Sequence, residues 1–203
     1  GASTGTAGYW STIYFENTSS SMLEEVVVRY GGSANQGNIY MYQSNVPVIS
    51  SEISAGSSFG IYTYQSSPLI EGNTISGNGS HGIYHYQGSS PVNRGNTIAD
   101  NANGIYGQYA TPTIDGNTIT DNRGYGVYYQ YVTDAPEMTG NEITGNAKPV
   151  RIPFSSIPGP EAGKTLTPNS VNQRECQGNR LYRSVVFSVA EGLVVYRGNG
   201  TGT

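Results

Sequence analysis

Apolar residues in this chain occur singly or in pairs, and Gly, Ser, Thr and Asn separate them. In one stretch the apolar positions are Ile61, Leu69 with Ile70, and Ile75. Runs this short cannot build a helix of about ten residues, and turn-forming residues interrupt them. The pattern therefore predicts only short strands of about three to five residues, and an all-β protein.

The pattern is an internal repeat. Four consecutive units start at Gly60, Gly82, Gly104 and Gly126, at an interval of 22 residues, and each carries G-I/V-Y followed by G-N-T/E-I-x-x-N. A degenerate copy starts at Asn38. Length variation falls beside the prolines, at Pro47, Pro68, Pro91, Pro112 and Pro136. No unit of this size buries its own apolar side chains, so we expect the units to stack on one another.

Stacking in register places equivalent residues above one another at about 4.8 Å. Two internal aliphatic ladders follow, formed by Ile61, Ile83, Ile105 and Val127, and by Ile75, Ile98, Ile119 and Ile143. Two Asn columns also follow, formed by Asn73, Asn96, Asn117 and Asn141, and by Asn78, Asn101, Asn122 and Asn146. Asn tolerates left-handed geometry at corners, and stacked amides can hydrogen-bond along a stack, so these residues are expected to be structural.

The unit G-I-Y-x-Y…P-x-I-x-G-N-T-I-x-x-N resembles the right-handed parallel β-helix repeat of secreted bacterial proteins, which are relatives of the pectate-lyase-like superfamily. The resemblance implies a right-handed single-stranded parallel β-helix, a solenoid of roughly seven coils of about 22 residues. It says little about function, because that fold hosts lyases, hydrolases, epimerases, adhesins and proteins without known activity.

The domain prediction is a single β-helix over residues 1–203. Residues 1–37 are expected to form irregular N-terminal coils, residues 38–149 the regular repeats, and residues 150–203 a decayed coil and a C-terminal cap. The chain lacks an initiator Met, so we expect a mature or excised segment of an exported protein. Few cysteines and a polar, Gly-rich composition fit an extracellular or cell-surface location in a bacterium.

Charge and composition exclude several classes of function. Only 12% of residues are charged, and a net charge of −4 leaves no basic surface for nucleic acid. No apolar run approaches the roughly 18–20 residues that span a bilayer. The single Cys176 cannot form an internal disulfide.

Tyrosines are the strongest candidates for ligand binding. If Ile61 points inward, strand alternation sends Tyr62 and Tyr64 outward. The predicted ligand-binding residues are Tyr40, Tyr62, Tyr64, Tyr84, Tyr86, Tyr106, Tyr128 and His85. Aromatic rings beside Gln, Ser and Asn suit stacking on sugar rings, whereas the alternative is that the rings only brace one another.

Charged residues supply weaker candidates. Glu71, Arg94 and Asp115 fall at equivalent positions and predict a surface ion-pair ladder. Asp100 and Asp121 also fall at equivalent positions, with Arg123 close by, and these three are the candidate catalytic residues. The resemblance implies clustered Asp in hydrolases of this fold, and Ca²⁺-binding acids with an Arg or Lys base in the lyases. Two adjacent carboxylates could bind Ca²⁺, but the cluster stops at two, and no other cofactor or metal site is predicted.

Three functions remain open. The first is a non-catalytic module that binds polysaccharide or a cell-surface glycan through the tyrosines. The second is a polysaccharide lyase or glycoside hydrolase that uses Asp100, Asp121 and Arg123. The third is a structural spacer or self-assembling scaffold that associates through the tyrosines or the helix ends.

Overall fold

The chain winds into a solenoid whose wall consists of three parallel β-sheets. The computed structural model describes residues 5–33, 36–132 and 136–152 and the strand Ser170–Val171. Within these residues there are twenty strands, numbered β1 to β20 in chain order, and no helix. Successive strands enter the three sheets in turn, so each sheet pairs strand n with strand n+3.

The three sheets have the following members. The first sheet contains β1 (Ile13–Glu16), β4 (Gly37–Tyr42), β7 (Phe59–Tyr64), β10 (His81–Tyr86), β13 (Asn103–Gln108), β16 (Tyr125–Gln130) and β19 (Lys148–Arg151). The second sheet contains β2 (Leu23–Glu24), β5 (Val48–Ile49), β8 (Leu69–Glu71), β11 (Val92–Arg94), β14 (Thr113–Asp115) and β17 (Glu137–Thr139). The third sheet contains β3 (Val27–Arg29), β6 (Glu52–Ser54), β9 (Thr74–Ser76), β12 (Thr97–Ala99), β15 (Thr118–Thr120), β18 (Glu142–Thr144) and β20 (Ser170–Val171).

Six full coils are therefore described, and we number them 1 to 6, from β1–β3 to β16–β18. The predicted all-β right-handed solenoid with a spacing of about 22 residues is confirmed, although the sequence suggested roughly seven coils. Coil 1 lies within the segment expected to be irregular, yet its three strands pair in register with coil 2. The expected C-terminal cap lies outside the described residues, apart from 150–152 and β20.

Each coil turns at three corners, and each corner carries a residue with positive φ, between 39° and 67°. The first corner, after the first sheet, has Asn17, Gln43, Gln65, Gln87, Tyr109 and Tyr131. The second corner has Glu25, Ser50, Gly72, Gly95, Gly116 and Gly140, and the third has Tyr30, Ala55, Gly77, Asp100, Asp121 and Gly145. Because a left-handed residue redirects the chain sharply, strands between these corners stay short.

The core consists of the predicted ladders. Ile61, Ile83 and Ile105 are fully buried and pair in register, and so do Ile75, Ile98 and Ile119. Gly82 shows why a glycine precedes Ile61, Ile83 and Ile105: a Cβ on Gly82 would lie 2.8 Å from Ile98 and 2.9 Å from Asn101. In these coils glycine lets the backbone approach the neighbouring side chains so closely.

The two Asn columns lie inside the solenoid beside the second and third corners. Asn96 is typical: its Oδ1 accepts hydrogen bonds from the backbone N–H and the Nδ2 of Asn73, and its Nδ2 donates to Asn117 Oδ1 and to the carbonyl of Ile70. The positive φ belongs to the residue before each Asn, for example Gly95, as expected for the glycines that precede the first Asn column. The amide therefore points inward and satisfies backbone groups at the turn.

Candidate functional site

The first sheet carries an aromatic outer surface. Along β7, Ile61 and Thr63 are buried whereas Tyr62 and Tyr64 are partly exposed, so the predicted alternation holds. We call this surface the Tyr face and define it by three outward columns, two over coils 2–6 and a third over coils 3–6. They are Tyr40, Tyr62, Tyr84, Tyr106 and Tyr128; Tyr42, Tyr64, Tyr86, Gln108 and Gln130; and Phe59, His81, Asn103 and Tyr125.

Neighbouring rings of the Tyr face contact one another along the solenoid axis. Tyr40, Tyr62 and Tyr84 are stacked, with centroid distances of 4.6 and 4.9 Å and interplanar angles of 10° and 6°. The Tyr106 and Tyr128 rings are tilted, at 58° and 5.2 Å. Each tyrosine ring within the column therefore covers part of the next ring. The tyrosines thus stabilise the sheet and also form its outer surface.

Tyr hydroxyls and Gln amides form a polar ladder over coils 4–6. The hydroxyl of Tyr84 donates to Gln108 Oε1 at 3.0 Å, and the hydroxyl of Tyr106 donates to Gln130 Oε1 at 3.2 Å. Gln108 Nε2 donates to Tyr106 and to Gln130 Oε1, and Gln130 Nε2 contacts the Tyr128 hydroxyl. Coils 5 and 6 carry Gln where coils 2–4 carry Tyr. There the surface has hydrogen-bond donors and acceptors of fixed position beside the rings.

The Tyr face carries no charge in coils 2–6. Its members are Tyr, Gln, Phe, Asn and His. Glu16 precedes the face, and at its other end Lys148 Nζ and Arg151 Cζ each lie 5.0 Å from a ring centroid, those of Tyr125 and Tyr128. Burial between aromatic neighbours lowers the pKa of His81 to about 4, so this imidazole is neutral at pH 7. Burial also raises the pKa of Tyr62, Tyr84 and Tyr106, and their hydroxyls stay protonated.

His85, a predicted ligand-binding residue, lies inside the solenoid and not on the Tyr face. His85 pairs in register with Thr63, both side chains point inward, and the imidazole is fully buried. Nδ1 lies 2.8 Å from Thr63 Oγ1, and Nε2 lies 3.1 Å from Asn93 Nδ2. The expectation that His85 lines a sugar groove is therefore wrong, because the imidazole completes a polar cluster inside the core.

The structure places the candidate catalytic residues at the third corner. Asp100 and Asp121 have positive φ, 58° and 55°, and occupy the position that Gly77 and Gly145 fill in the flanking coils. Both are exposed. Arg123 Nη2 donates to the backbone carbonyls of Asn78 and Gly79, at 3.4 and 3.3 Å, and not to either carboxylate. The three are thus neighbours at one corner, and their described contacts are those of turn residues.

The predicted surface ion-pair ladder is present in the structure. Arg94 lies between Glu71 and Asp115, with Nη1–Oε1 and Nε–Oδ2 distances of 4.0 and 3.2 Å. A hydrogen bond from Thr139 and the pairing with Arg94 lower the pKa of Asp115. All three side chains are well exposed, so the ladder adds little stability.

Within the part of the chain that the structure describes, no three His, Cys, Asp or Glu side chains come close enough to hold a metal ion. A Ca²⁺ site at Asp100 and Asp121 stays a prediction resting on two carboxylates. The same residues include no helix that is long and apolar enough to cross a membrane. Cys176 lies outside the described residues.

Sequence reasoning missed the upstream column of the Tyr face. Phe59, His81 and Tyr125 lie three residues before the main Tyr column, and the Gly and the Ile or Val between them are buried. Two consecutive inward residues break the alternation, so a strict period of two does not place these rings on the surface. Their recurrence immediately before three of the four Gly-Ile/Val-Tyr segments was the available signal.

The comparisons with known proteins concern the fold. A protein family described as a right handed beta helix region matches residues 11–167. Searches of curated proteins and of solved structures returned no match. With six in-register coils, three parallel sheets and a family match over most of its length, the chain belongs to the right-handed β-helix family.

Proposed function

We propose that this chain is a non-catalytic β-helix module of a secreted or cell-surface protein, and that it binds a neutral polysaccharide through the Tyr face. One observation carries the proposal: an uncharged, partly exposed surface of aromatic rings and amides continues without interruption over five coils. Repetition at the coil spacing suits a ligand that is itself a linear repeat.

The chemistry of the surface supports a sugar polymer. Tyrosine combines an apolar ring with a polar hydroxyl, so it can pack on the C–H face of a sugar and hydrogen-bond at the same time. The Gln108 and Gln130 amides add donors and acceptors of fixed orientation beside those rings. A surface without charge favours a ligand without charge, so we expect affinity to change little between low and high salt.

Self-association through the Tyr face is the second candidate. Aromatic surfaces with few charges are typical of protein interfaces, and extended apolar patches on a monomer commonly mark them. The stacking of Tyr40, Tyr62 and Tyr84 also shows that the rings have partners without any ligand. This candidate predicts dimers or larger oligomers that bury the Tyr face.

An enzyme that uses Asp100, Asp121 and Arg123 has less support. Both aspartates occupy left-handed turn positions, which Asp adopts more readily than most residues. The guanidinium of Arg123 binds backbone carbonyls of a coil two turns away. These contacts account for the three residues without a reaction.

The test is a binding screen against soluble neutral polysaccharides, namely a β-glucan, a mannan, a xylan and a galactan, with a pectate as the charged comparison. The variant Tyr62→Ala/Tyr84→Ala removes two adjacent rings from the centre of the Tyr face. We expect the wild-type chain to bind a neutral polymer and the variant to lose most of that binding. Failure of the wild type to bind any neutral polymer would overturn the proposal.

A matched control separates binding from folding. Thr74→Ala/Thr97→Ala changes two exposed residues of the third sheet in the same two coils, so its binding should equal the wild type. Circular dichroism and thermal melting establish that each variant is folded. If the Ala variant is unstable, Tyr62→Phe/Tyr84→Phe keeps the rings and removes only the hydroxyls, and we expect it to bind more weakly than the wild type.

A further inference from the structure

A second pair of tyrosines lies at the first corner, beside the Tyr face and not part of it. Tyr109 and Tyr131 occupy equivalent positions of coils 5 and 6, and their rings are stacked, with a centroid distance of 5.0 Å and an interplanar angle of 14°. Their relative exposures are 52% and 60%, so both are more exposed than the partly buried tyrosines of the Tyr face.

The backbone at this position does not favour an aromatic residue. Tyr109 and Tyr131 have φ of 51° and 54°, and Gln43, Gln65 and Gln87 hold the same left-handed conformation in coils 2–4. The corner thus forms with Gln in three coils, and a large ring is not needed to turn the chain. Left-handed geometry in a bulky residue is uncommon, and such positions cluster at ligand sites.

The two tyrosines arise from an exchange of neighbouring residues. Coils 2–4 read Tyr-Gln at the end of the first-sheet strand, as in Tyr86-Gln87, whereas coils 5 and 6 read Gln-Tyr, as in Gln108-Tyr109. The exchange moves the ring outward to the corner and moves the amide onto the Tyr face. A pair of exposed rings and the ladder of Gln108 and Gln130 amides are therefore built side by side, in the same two coils.

A stack of two rings also leaves ring surface uncovered. Among the described residues, Tyr109 has Tyr131 as its one ring partner, so its opposite side turns toward coil 4. There Gly88 donates its backbone N–H to the carbonyl of Tyr109, and a Cβ on Gly88 would meet no atom within 4 Å. Gln87 holds the position equivalent to Tyr109 in coil 4, so the described residues place no aromatic ring on that side of Tyr109.

We propose that Tyr109 and Tyr131 form a stacking subsite for a sugar ring of the neutral polysaccharide, with Gln108 and Gln130 hydrogen-bonding its hydroxyls. This inference rests on the proposed function, and it adds a contact at coils 5 and 6 to those that the Tyr face makes. Exposed rings beside fixed amides, on strands that carry no charge, are the chemistry that recognises a neutral pyranose.

The test replaces each ring with the residue that neighbouring coils use. Tyr109→Gln/Tyr131→Gln restores the Gln found at the same left-handed position in coils 2–4, so we expect an unchanged melting temperature. Calorimetric titration with the β-glucan, mannan, xylan and galactan should show at least tenfold weaker binding than the wild type. Gln43→Ala/Gln65→Ala, at the same corner of coils 2 and 3, is the matched control and should bind as the wild type does.

The outcomes separate this inference from the proposed function. If the wild type binds and Tyr109→Gln/Tyr131→Gln binds equally well, the subsite is overturned and the proposed function stands. If the wild type binds none of the four polymers, both fail. If the substitution abolishes oligomers in light scattering and leaves binding intact, the pair is an interface between copies and the subsite is overturned.

Discussion

The ring of Tyr129 occupies the space directly above Gly107 inside the solenoid. These residues pair in register in β13 and β16, and a Cβ on Gly107 would overlap the Cε1 and Cδ1 atoms of Tyr129. Tyr129 is also among the largest fully buried side chains of the described residues. The widely varying sizes along this inward column, from glycine to tyrosine, therefore reflect complementary packing between adjacent coils.

Substitution Gly107→Ala should destabilise the protein. The methyl group has no room unless the Tyr129 ring shifts, and overpacking of this kind costs about 1–3 kcal/mol. Urea unfolding measures the change. In the double variant Gly107→Ala/Tyr129→Val the clash is absent, so the two substitutions should cost less together than the sum of the single effects. Additive effects would contradict the packing described here.

Substitution Tyr129→Phe should leave stability unchanged or raise it. The Tyr129 hydroxyl is buried and has no hydrogen-bond partner among the residues that the structure describes, and burial raises its pKa, so the group stays protonated. Removal of an unsatisfied buried hydroxyl removes its desolvation cost, about 1 kcal/mol. A loss of more than about 1 kcal/mol in urea unfolding would show that the hydroxyl has a partner, such as a buried water.

Substitution Asn96→Ala should be among the most destabilising single changes in the solenoid. It removes one acceptor and one donor and leaves the backbone N–H of Asn73 and the carbonyl of Ile70 without their partners. Two buried groups left unsatisfied cost about 3 kcal/mol together. Thr97→Ala, the exposed neighbour, is the control and should change the unfolding free energy by less than about 0.5 kcal/mol.

Stability should fall as the pH drops below 6.5, in part because of His85. Burial lowers the pKa of His85 to about 3 in the folded protein, whereas the unfolded chain titrates near 6.5. The unfolded state thus binds more protons between pH 6.5 and pH 3, and folding weakens as pH falls through this window, by up to about 1.4 kcal/mol per pH unit.

The variant His85→Gln isolates this contribution. Urea unfolding at pH 7, 6 and 5 avoids the range in which carboxylates titrate, and the variant should lose less stability over that interval than the wild type. His81 keeps its own contribution in both proteins, since its lowered pKa is unaffected by the substitution. Equal pH dependence in the two proteins would contradict a buried neutral His85.

The repeat was enough to predict the fold, and residue spacing explains why. The recurrence of Gly-Ile-Tyr and Gly-Asn-Thr-Ile at 22 residues sets both the coil length and the inward ladders. It therefore predicts Ile83 in the core and Asn96 in a hydrogen-bonded column, and both are confirmed. The outward direction of Tyr62 followed from strand parity alone. These features depend only on local periodicity and stacking, which a single sequence displays.

Features that depend on contacts between different sheets were not predictable. His85 shares a core cluster with Asn93, a residue of the second sheet, and no spacing rule joins the two. Phe59 and His81 reach the Tyr face because two consecutive residues turn inward, which breaks the parity rule. Which surface binds a ligand also depends on exposure, and the most exposed stacked rings, Tyr109 and Tyr131, became evident only in three dimensions.

The most direct measurement of the central claim is calorimetric titration of the wild-type chain with neutral polysaccharides at low and at high salt, with light scattering on the same samples. We predict saturable binding to at least one neutral polymer, with an affinity that salt changes by less than about twofold, and a monomeric protein. Oligomers that bind no polymer would contradict the claim and identify the Tyr face as a self-association surface.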